Sequence, residues 1–405
     1  MAAAPKQTRP FLIAGGGIGG LAAALALAGR GYRCRVLEKR TAFAETGAGI
    51  QIGPNGVKAL RALGVDQALE PKVGKPGEIL VFDARRGRPL AALPLGETIA
   101  ARLGAPYWTA HRADLHATLL DAAGRHPLIA ITTGFAAGRL EATPDGVRLI
   151  STAGSAASGA ALIGADGLWS TVRGYVADRT HPRFAGRRAY RAVVPSVEAP
   201  AQFQANATGL WLAPGAHVVH YPVRAGTEIA IVVILAGAAS GEGAGSGEDW
   251  AAAADRAALL AGVRHLAPEL TGFLAVATEW KSWGLFERAP LERWTNSRVA
   301  LLGDAAHPVL PFLAQGGALA LEDALTLAAE VDRSEADIPA AFAVYAAARM
   351  KRTRRVAAAS RRNGQIYHLA GAAAMTRNLV LRATPAPRLI AQYDWLYGWT
   401  PPAQT

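Results

Sequence analysis

The stretch FLIAGGGIGGLAAALALAGRGYRCRVLEK, residues 11–39, decides the fold. Four apolar residues, Phe11–Ala14, read as a short buried strand, and a glycine cluster at 15–20 turns the chain. An Ala/Leu-rich run then reads as a helix stopped by glycine, and residues 34–39 as a second buried strand. That is a βαβ opening. Gly15, Gly17 and Gly20 hold GxGxxG spacing between strand and helix. The first glycine allows a tight turn, the second lets the backbone approach a pyrophosphate, and the third lets helix pack on strand. Helix-start N–H groups and the helix dipole favour phosphate charge. Glu38 ends the second strand about 20 residues on, where an acid meets the hydroxyls of an adenosine ribose and disfavours a 2′-phosphate. Gly15, Gly17, Ile18, Gly19, Gly20 and Glu38 therefore read as a dinucleotide site, for FAD or NAD.

Two further strand ends separate these cofactors. The apolar run AALIGAD, 160–166, ends in Asp166 and continues as GLWSTVR; VALLGD, 299–304, ends in Asp304. Ligands of open α/β sheets sit at the carboxyl ends of the strands. Asp304 there can accept hydrogen bonds from a ribityl chain, which FAD carries and NAD lacks. Gly316 and Gly317 then open a helical pattern, exposing N–H groups that suit the electron-rich end of a flavin ring. The three loops together point to FAD. Helix capping is the competing reading of both aspartates.

Elsewhere the pattern predicts a glycine-rich loop over 41–56, a helix over 54–63, and a helix over 112–124 stopped at Gly124. Strands near 129–133 and 147–152 flank a turn at Pro-Asp-Gly. From about 183 to 290, YRAVVPSV, GLWLA, HVVHYPV and EIAIVVIL alternate as strands do, followed by a Gly/Ser-rich loop and a helix over 248–266. The expected fold class is α/β. A Rossmann-like FAD-binding domain, 1–182 and 291–405, carries an inserted antiparallel-sheet substrate domain, 183–290, and a helical C-terminus. Residues 72–108 are candidates to join the inserted sheet.

The chain has 405 residues, which suits two packed domains. Its net charge is +12, from 43 Lys and Arg against 31 Asp and Glu. Such a field can steer nucleic acid, an acidic membrane or small anions. Much of it lies in ARMKRTRRVAAASRRNG, 348–364, at the spacing of a solvated helix face, and no nucleic-acid module accompanies it. No apolar run reaches the roughly 18 residues of a membrane span, and MAAAPKQTRP does not read as a secretion signal. The single cysteine, Cys34, excludes an internal disulfide or a cysteine metal cluster. It reads as an inert core residue in a buried strand. A cytosolic protein without a metal is expected.

Together, GxGxxG near the N-terminus, GADGLWSTVR and LLGDAAHPVLP resemble the three fingerprints of the single-component FAD-dependent aromatic hydroxylases, the class A flavoprotein monooxygenases. The resemblance runs over essentially the whole chain. GAGIQIGPNGVKALRALG at 47–64, HRADLH at 111–116, HVVHYPV at 217–223, RRNGQIYHLAG at 361–371 and YDWLYGW at 393–399 are similar to the branch of salicylate, 3-hydroxybenzoate and 6-hydroxynicotinate hydroxylases. It implies NADH or NADPH as reductant without a domain of its own, and O2 as co-substrate. It also implies oxygen transfer from a flavin hydroperoxide to a small phenolic or aromatic carboxylic acid, with a homodimer as the family default. By resemblance, Glu38, with Lys39 beside it, meets the adenosine ribose. Arg112 holds the pyrophosphate or ribityl region with its fork of donors, and Asp304 the ribityl chain. Asp166 serves FAD and the reductant, and Pro311 with residues 315–317, Gly316 and Gly317 among them, borders the flavin ring. Gln51 is grouped with the cofactor loop; it stands where 6-hydroxynicotinate relatives carry an ionisable His, which points toward salicylate-type relatives.

Oxygen transfer needs an electron-rich ring, and deprotonating a phenol provides one; His is the usual base. His217 and Tyr221 lie four apart in a strand-like run, so they share a face with Val219 while His220 points away. By resemblance, this His-x-x-x-Tyr pair binds substrate and acts on its phenol. His217 is the candidate base or orienter and Tyr221 its companion, against an ordinary sheet histidine and a packed aromatic. His307 is expected to brace its loop and His368 to pack. Two other functions stay open: an FAD monooxygenase of a larger natural product or quinone precursor, and a non-catalytic flavin-binding regulator.

Overall fold

Phe11–Ala14 and Ala161–Gly164 are buried along their whole length, as strands covered on both faces must be. The computed structural model describes residues 6–43, 49–177, 180–237, 252–334 and 337–403. In it these strands are neighbours in a sheet ordered Thr295–Asn296, Val299–Leu301, Ala161–Gly164, Phe11–Ala14, Cys34–Leu37, Ile129–Thr132. Every pairing is parallel except that of the edge strand Thr295–Asn296. The chain leaves Phe11–Ala14 on one side and returns on the other, so the crevice of an open α/β sheet falls at that strand's carboxyl end. Ala14 is in register with Gly164 and with Leu37, and Gly164 with Leu301. The turns carrying Gly15, Glu38, Asp166 and Asp304 therefore leave one edge from adjacent strands, each about 4.8 Å from the next. Ile18–Ala28 is buried almost all round, because it lies between this sheet and the helix Gly316–Arg333.

The second sheet has seven strands: Lys281–Glu287, Arg183–Pro195, Glu228–Ala236, Ala216–Val223, Ala207–Ala213, Glu78–Asp83 and Arg88–Pro94. It extends beyond 183–290 and is not wholly antiparallel, since Ala207–Ala213 pairs in parallel with Glu78–Asp83. One face packs Phe203, Trp211 and Val218 against the helices Arg256–Val263 and Pro268–Val276. The other turns Ala189, Ile234 and Leu285 toward Leu310 and Phe312 of the cofactor side.

Several local expectations change. The expected loop over 41–56 contains a strand, Gly49–Ile52, paired with Trp108–His111; residues 44–48 lie outside the described residues. The hairpin at Pro144-Asp145 joins Ala137–Thr143 to Gly146–Ser151, whereas Ile129–Thr132 belongs to the parallel sheet. Ala137 and Gly138 hid that strand, since neither marks an apolar face. Gly124 does not stop its helix, which runs to Arg125. The helix expected over 248–266 is described from Arg256, where the Asp255 carboxylate accepts from the Ala258 N–H; the Gly/Ser-rich stretch before it is outside the described residues from 238 to 251. Among the described residues, no helix is long and apolar enough to cross a membrane.

Beneath the crevice lies a buried charge network. Asp323 accepts from the Gly303 N–H at 3.0 Å, from His307, and from Arg349 Nε at 2.6 Å. Burial works to raise its carboxyl, but His307 and Arg349 hold it down at about 2. Its neighbour Glu322 takes Arg349, Arg352 and the Asn55 amide. Removing one partner of a buried pair strands the other's charge. Arg349→Met should therefore lower unfolding stability by about 3–5 kcal/mol in a denaturant titration. Arg362→Met, on the exposed side of the same helix, should shift it by no more than about 0.5 kcal/mol.

Candidate active site

The glycine loop shows why each glycine stands where it does. Gly15 sits at φ +103°, and a Cβ there would lie 2.4 Å from the Ala165 carbonyl oxygen. A Cβ at Gly20 would lie 1.9 Å from the Gly15 oxygen, so the helix could not start so close to the strand. At Gly17 nothing lies within 4 Å, and no side chain caps the helix that follows. That helix start is therefore uncapped, with room beside Gly17. Gly19 rests on Leu302 and Ala320, which joins this loop to the third strand end and its helix. Glu38 folds back on the loop, accepting from Gly16 N–H at 2.7 Å and Arg40 N–H at 3.0 Å, with Lys39 exposed beside it. His116, which sequence reasoning did not single out, braces the Gly16 carbonyl at 2.8 Å.

The two aspartates differ. Asp166 caps its own turn, accepting from the Ser170 hydroxyl and from the N–H groups of Thr171 and Val172. Burial pushes its carboxyl up and these hydrogen bonds oppose it. Asp304 sits in the turn Gly303–Ala305 with its side chain exposed to the crevice, and its carboxylate accepts no hydrogen bond from the described residues. Desolvation by the surrounding walls raises it, while His307 and Arg112 pull it down, so Arg112 bears on the same space. Helix Gly316–Arg333 also starts without a side-chain cap; its preceding Gln315 is buried and accepts from Asn55 instead. Gly317 lies under Ile50, and Pro311 is exposed nearby.

These groups fit FAD. An uncapped helix start beside an open glycine suits the diphosphate, a carboxylate without a protein donor suits polyol hydroxyls, and a second uncapped helix start suits the electron-rich ring edge.

The inner face of the seven-stranded sheet forms an aromatic wall. His217 is 2% exposed and packs against Phe312, Tyr367 and His368, ring centroids 5.1–5.5 Å away. Its Nδ1 lies 2.8 Å from His368 Nε2, so His368 does more than pack. Burial, then His368 and Arg187, hold the His217 pKa well below its usual value. Tyr221, on the same face, lies against Gly49 and Ala230, and burial pushes its phenol up. Gln51 reaches toward this wall: its side-chain oxygen accepts from the Tyr107 hydroxyl at 2.6 Å, and Tyr107 meets Tyr397 edge-on. His220 points the other way, among Phe203, Trp211 and Phe273, and burial takes its pKa down to about 4. It is a core histidine. His307 is held by Asp323, which accepts from its Nε2, as a loop brace should be. Cys34 is buried and its thiol is pushed up by burial. Tyr107 and Phe312 joined no sequence pattern, and Tyr367 appeared only inside the stretch RRNGQIYHLAG; all three become wall residues only through distant pairing. A separate open cavity of about 480 Å³, between Glu70–Lys75, Gln204–Asn206 and Pro222, contains none of these side chains.

The geometry separates two kinds of glycine. Gly17→Ala should leave the melting temperature of the apoprotein unchanged yet lower FAD retention after gel filtration, whereas Gly20→Ala should lower the melting temperature itself. Asp304→Ala should weaken FAD binding by about 1–3 kcal/mol, the scale of an interaction lost by a buried polar group, read from flavin absorbance per protein.

Comparison with known proteins agrees with this architecture. The FAD binding domain family model matches residues 8–360. The 3-hydroxybenzoate 6-hydroxylase of Polaromonas naphthalenivorans is 37% identical over 392 residues, 96% of each chain. The 3-amino-4-hydroxybenzoate 2-monooxygenase of Streptomyces cremeus is 37% identical over 96% of this chain and 94% of its own. The crystal structure of Klebsiella pneumoniae HpxO complexed with FAD and uric acid superposes with a TM-score of 0.85 at 30% identity, covering 96% of this chain and 97% of its own. The chain belongs to the FAD binding domain family and, within it, to the FAD-dependent aromatic-ring monooxygenases.

Proposed function

We propose that this enzyme hydroxylates a hydroxybenzoate, with 3-hydroxybenzoate the first candidate, consuming NADH or NADPH and O2. The carrying observation is that His217 and Tyr221 share one face of the sheet, with Phe312, from the turn just before the glycine-started helix, packed on His217. Benzoates bearing a ring hydroxyl are named for the two relatives of 37% identity, which supports the substrate class. Reduced FAD supplies the activated oxygen. The chain's own residues do the rest. Phe312, Tyr367, Tyr107 and Tyr397 exclude water, His217 holds the phenol oxygen, and Tyr221 lines the same face farther along the strand. A phenolate pushes electron density onto the carbons ortho and para to it, and C6 is para to a 3-hydroxyl.

An anionic carboxylate has a counter-charge in Arg191. Arg191 pairs with Val232 and Val232 with Val219, so all three share the His217 and Tyr221 face. Arg191 is buried and stacked 4.6 Å over Trp283. In this reading residues 1–182 and 291–405 hold the cofactor, and 183–290 with the strands at 78–94 hold the substrate. We place the enzyme in the cytosol as a homodimer, supported by the exposed apolar Met375, Leu379 and Val380 on one helix.

The test is a panel of benzoates, hydroxybenzoates and hydroxypyridines scored for NADH oxidation, with product identification. 3-Hydroxybenzoate should accelerate oxidation and yield 2,5-dihydroxybenzoate; no stimulation by any hydroxybenzoate would overturn the reading. His217→Ala should keep its FAD, slow hydroxylation roughly tenfold to a hundredfold, the scale of a lost hydrogen bond to a charged oxygen, and release more hydrogen peroxide. Arg191→Met should raise KM for 3-hydroxybenzoate while leaving that for 3-methylphenol, which lacks the carboxylate, unchanged.

A further inference from the structure

We propose that Arg187 and His368 lock His217 in the tautomer that carries its proton on Nε2, so that it meets the substrate oxygen as a hydrogen-bond donor rather than as its base. This deepens the phenol-binding reading of the preceding section and rests on it.

The three side chains form a line. Arg187 Nε donates to His368 Nδ1 at 3.3 Å, and His368 Nε2 lies 2.8 Å from His217 Nδ1. A guanidinium can only donate. His368 Nδ1 must therefore be the unprotonated nitrogen, and a neutral His368 carries its proton on Nε2. That proton is donated to His217 Nδ1, which leaves the proton of a neutral His217 on Nε2. This nitrogen, on the far side of the ring, makes no hydrogen bond to the described residues. Desolvation, then Arg187 and Arg377, take the His368 pKa down to about 4, so it is neutral at ordinary assay pH.

Three elements position these side chains. Arg187 extends from the strand Arg183–Pro195, two residues from Ala189, whose pairing partner Ile234 also pairs with His217. Its guanidinium lies 5.3 Å over the Phe312 ring. His368 ends the helix Ile338–Tyr367, and its N–H and ring positions follow from that helix's last turn. His217 is clamped between Phe312 and Tyr367. The titratable groups bearing on His217 are His368 and Arg187, and those bearing on His368 are Arg187 and Arg377, none of them acidic.

A donor backed by cations favours phenolate over phenol. On binding, the phenol O–H bond breaks, its electron pair stays on oxygen, and the proton leaves to water. His217 Nε2–H then hydrogen-bonds the phenolate. His368 and Arg187 are positioning residues, since neither needs to touch the ring.

The experiment uses holoenzyme with 15N-labelled histidine. Long-range 1H–15N correlation assigns each imidazole tautomer without any substrate. In the wild type both His217 and His368 should show Nε2–H. His368→Leu should release His217 to a mixture of tautomers. His368→Gln, whose amide can donate to His217 Nδ1, should restore Nε2–H, and Arg187→Met should release both rings. The ultraviolet difference spectrum of bound 3-hydroxybenzoate at one fixed pH then reads its phenolate fraction. That fraction, and kcat, should fall about tenfold in His368→Leu, as for a weakened hydrogen bond to a charged oxygen, with KM less affected, and should recover in His368→Gln. A wild-type His217 protonated on Nδ1, or a tautomer unmoved by His368→Leu and Arg187→Met, would overturn the lock whatever the substrate. Failure of 3-hydroxybenzoate to bind would instead sink the substrate reading, leaving the tautomer result to decide the lock.

Discussion

One carboxylate, that of Asp323, anchors the turn on which the cofactor side is built, and it does so from within the core. It accepts simultaneously from a backbone N–H of Gly303, from His307 and from Arg349, joining the loop after Val299–Leu301 to two long helices. A carboxylate this deep is tolerable only because these three partners each supply a proton or a positive charge. Gly303 is in turn held at a positive φ of 61°, which glycine adopts readily. The consequence is placement: with its backbone fastened below, the turn presents Asp304 upward, its carboxylate unclaimed by the described residues. Glu322 extends the same anchorage, through Arg352, to the carbonyls of Trp395 and Leu396, so the C-terminal aromatic segment is tied to the same core.

In the proposed function the two sheets divide the chemical work according to what each kind of sheet can offer. A parallel sheet brings several strand ends and helix starts to one edge, which is a concentration of backbone N–H groups and strand-end carboxylates suited to a long, charged, hydroxyl-rich cofactor. The seven-stranded sheet instead offers a broad side-chain surface. Its inner face can be lined with aromatics that keep water out, while its outer face is closed by helices. A reaction that needs a dry aromatic ring beside a tightly held redox group is served by packing the second surface against the first edge. His217 and its neighbours Phe312 and Tyr367 sit where these surfaces meet.

Much of the cofactor side could be read from residue order. Gly15, Gly17 and Gly20 declare themselves because the roles of a missing Cβ are tied to fixed spacing along one turn. Asp166 and Asp304 declare themselves because a carboxylate after an apolar run must lie at a strand end. Even so, order alone left both capping and ligand binding open: Asp166 caps its own turn, whereas Asp304 has no such partner. The substrate side was less legible. Alternation correctly separated His217 and Tyr221 from His220, since side chains of a strand alternate faces whatever lies opposite. It could not tell that Gln51 would meet Tyr107 or that a seemingly ordinary helix-end histidine would meet His217.

The residue order by itself therefore determined the βαβ opening, the strand ends gathered at one edge of the parallel sheet, and the faces of the strand 216–223. These are consequences of local geometry, of φ freedom, of strand period and of helix starts, and act within a few residues. Only the tertiary structure decided what stands against each face. The His217–His368 contact joins residues 151 apart, and the strands 78–94 enter the second sheet by a parallel pairing that no local pattern encodes. Such partners are selected by how two independently formed layers pack and exclude water, and that selection is a property of the assembled core rather than of any one segment.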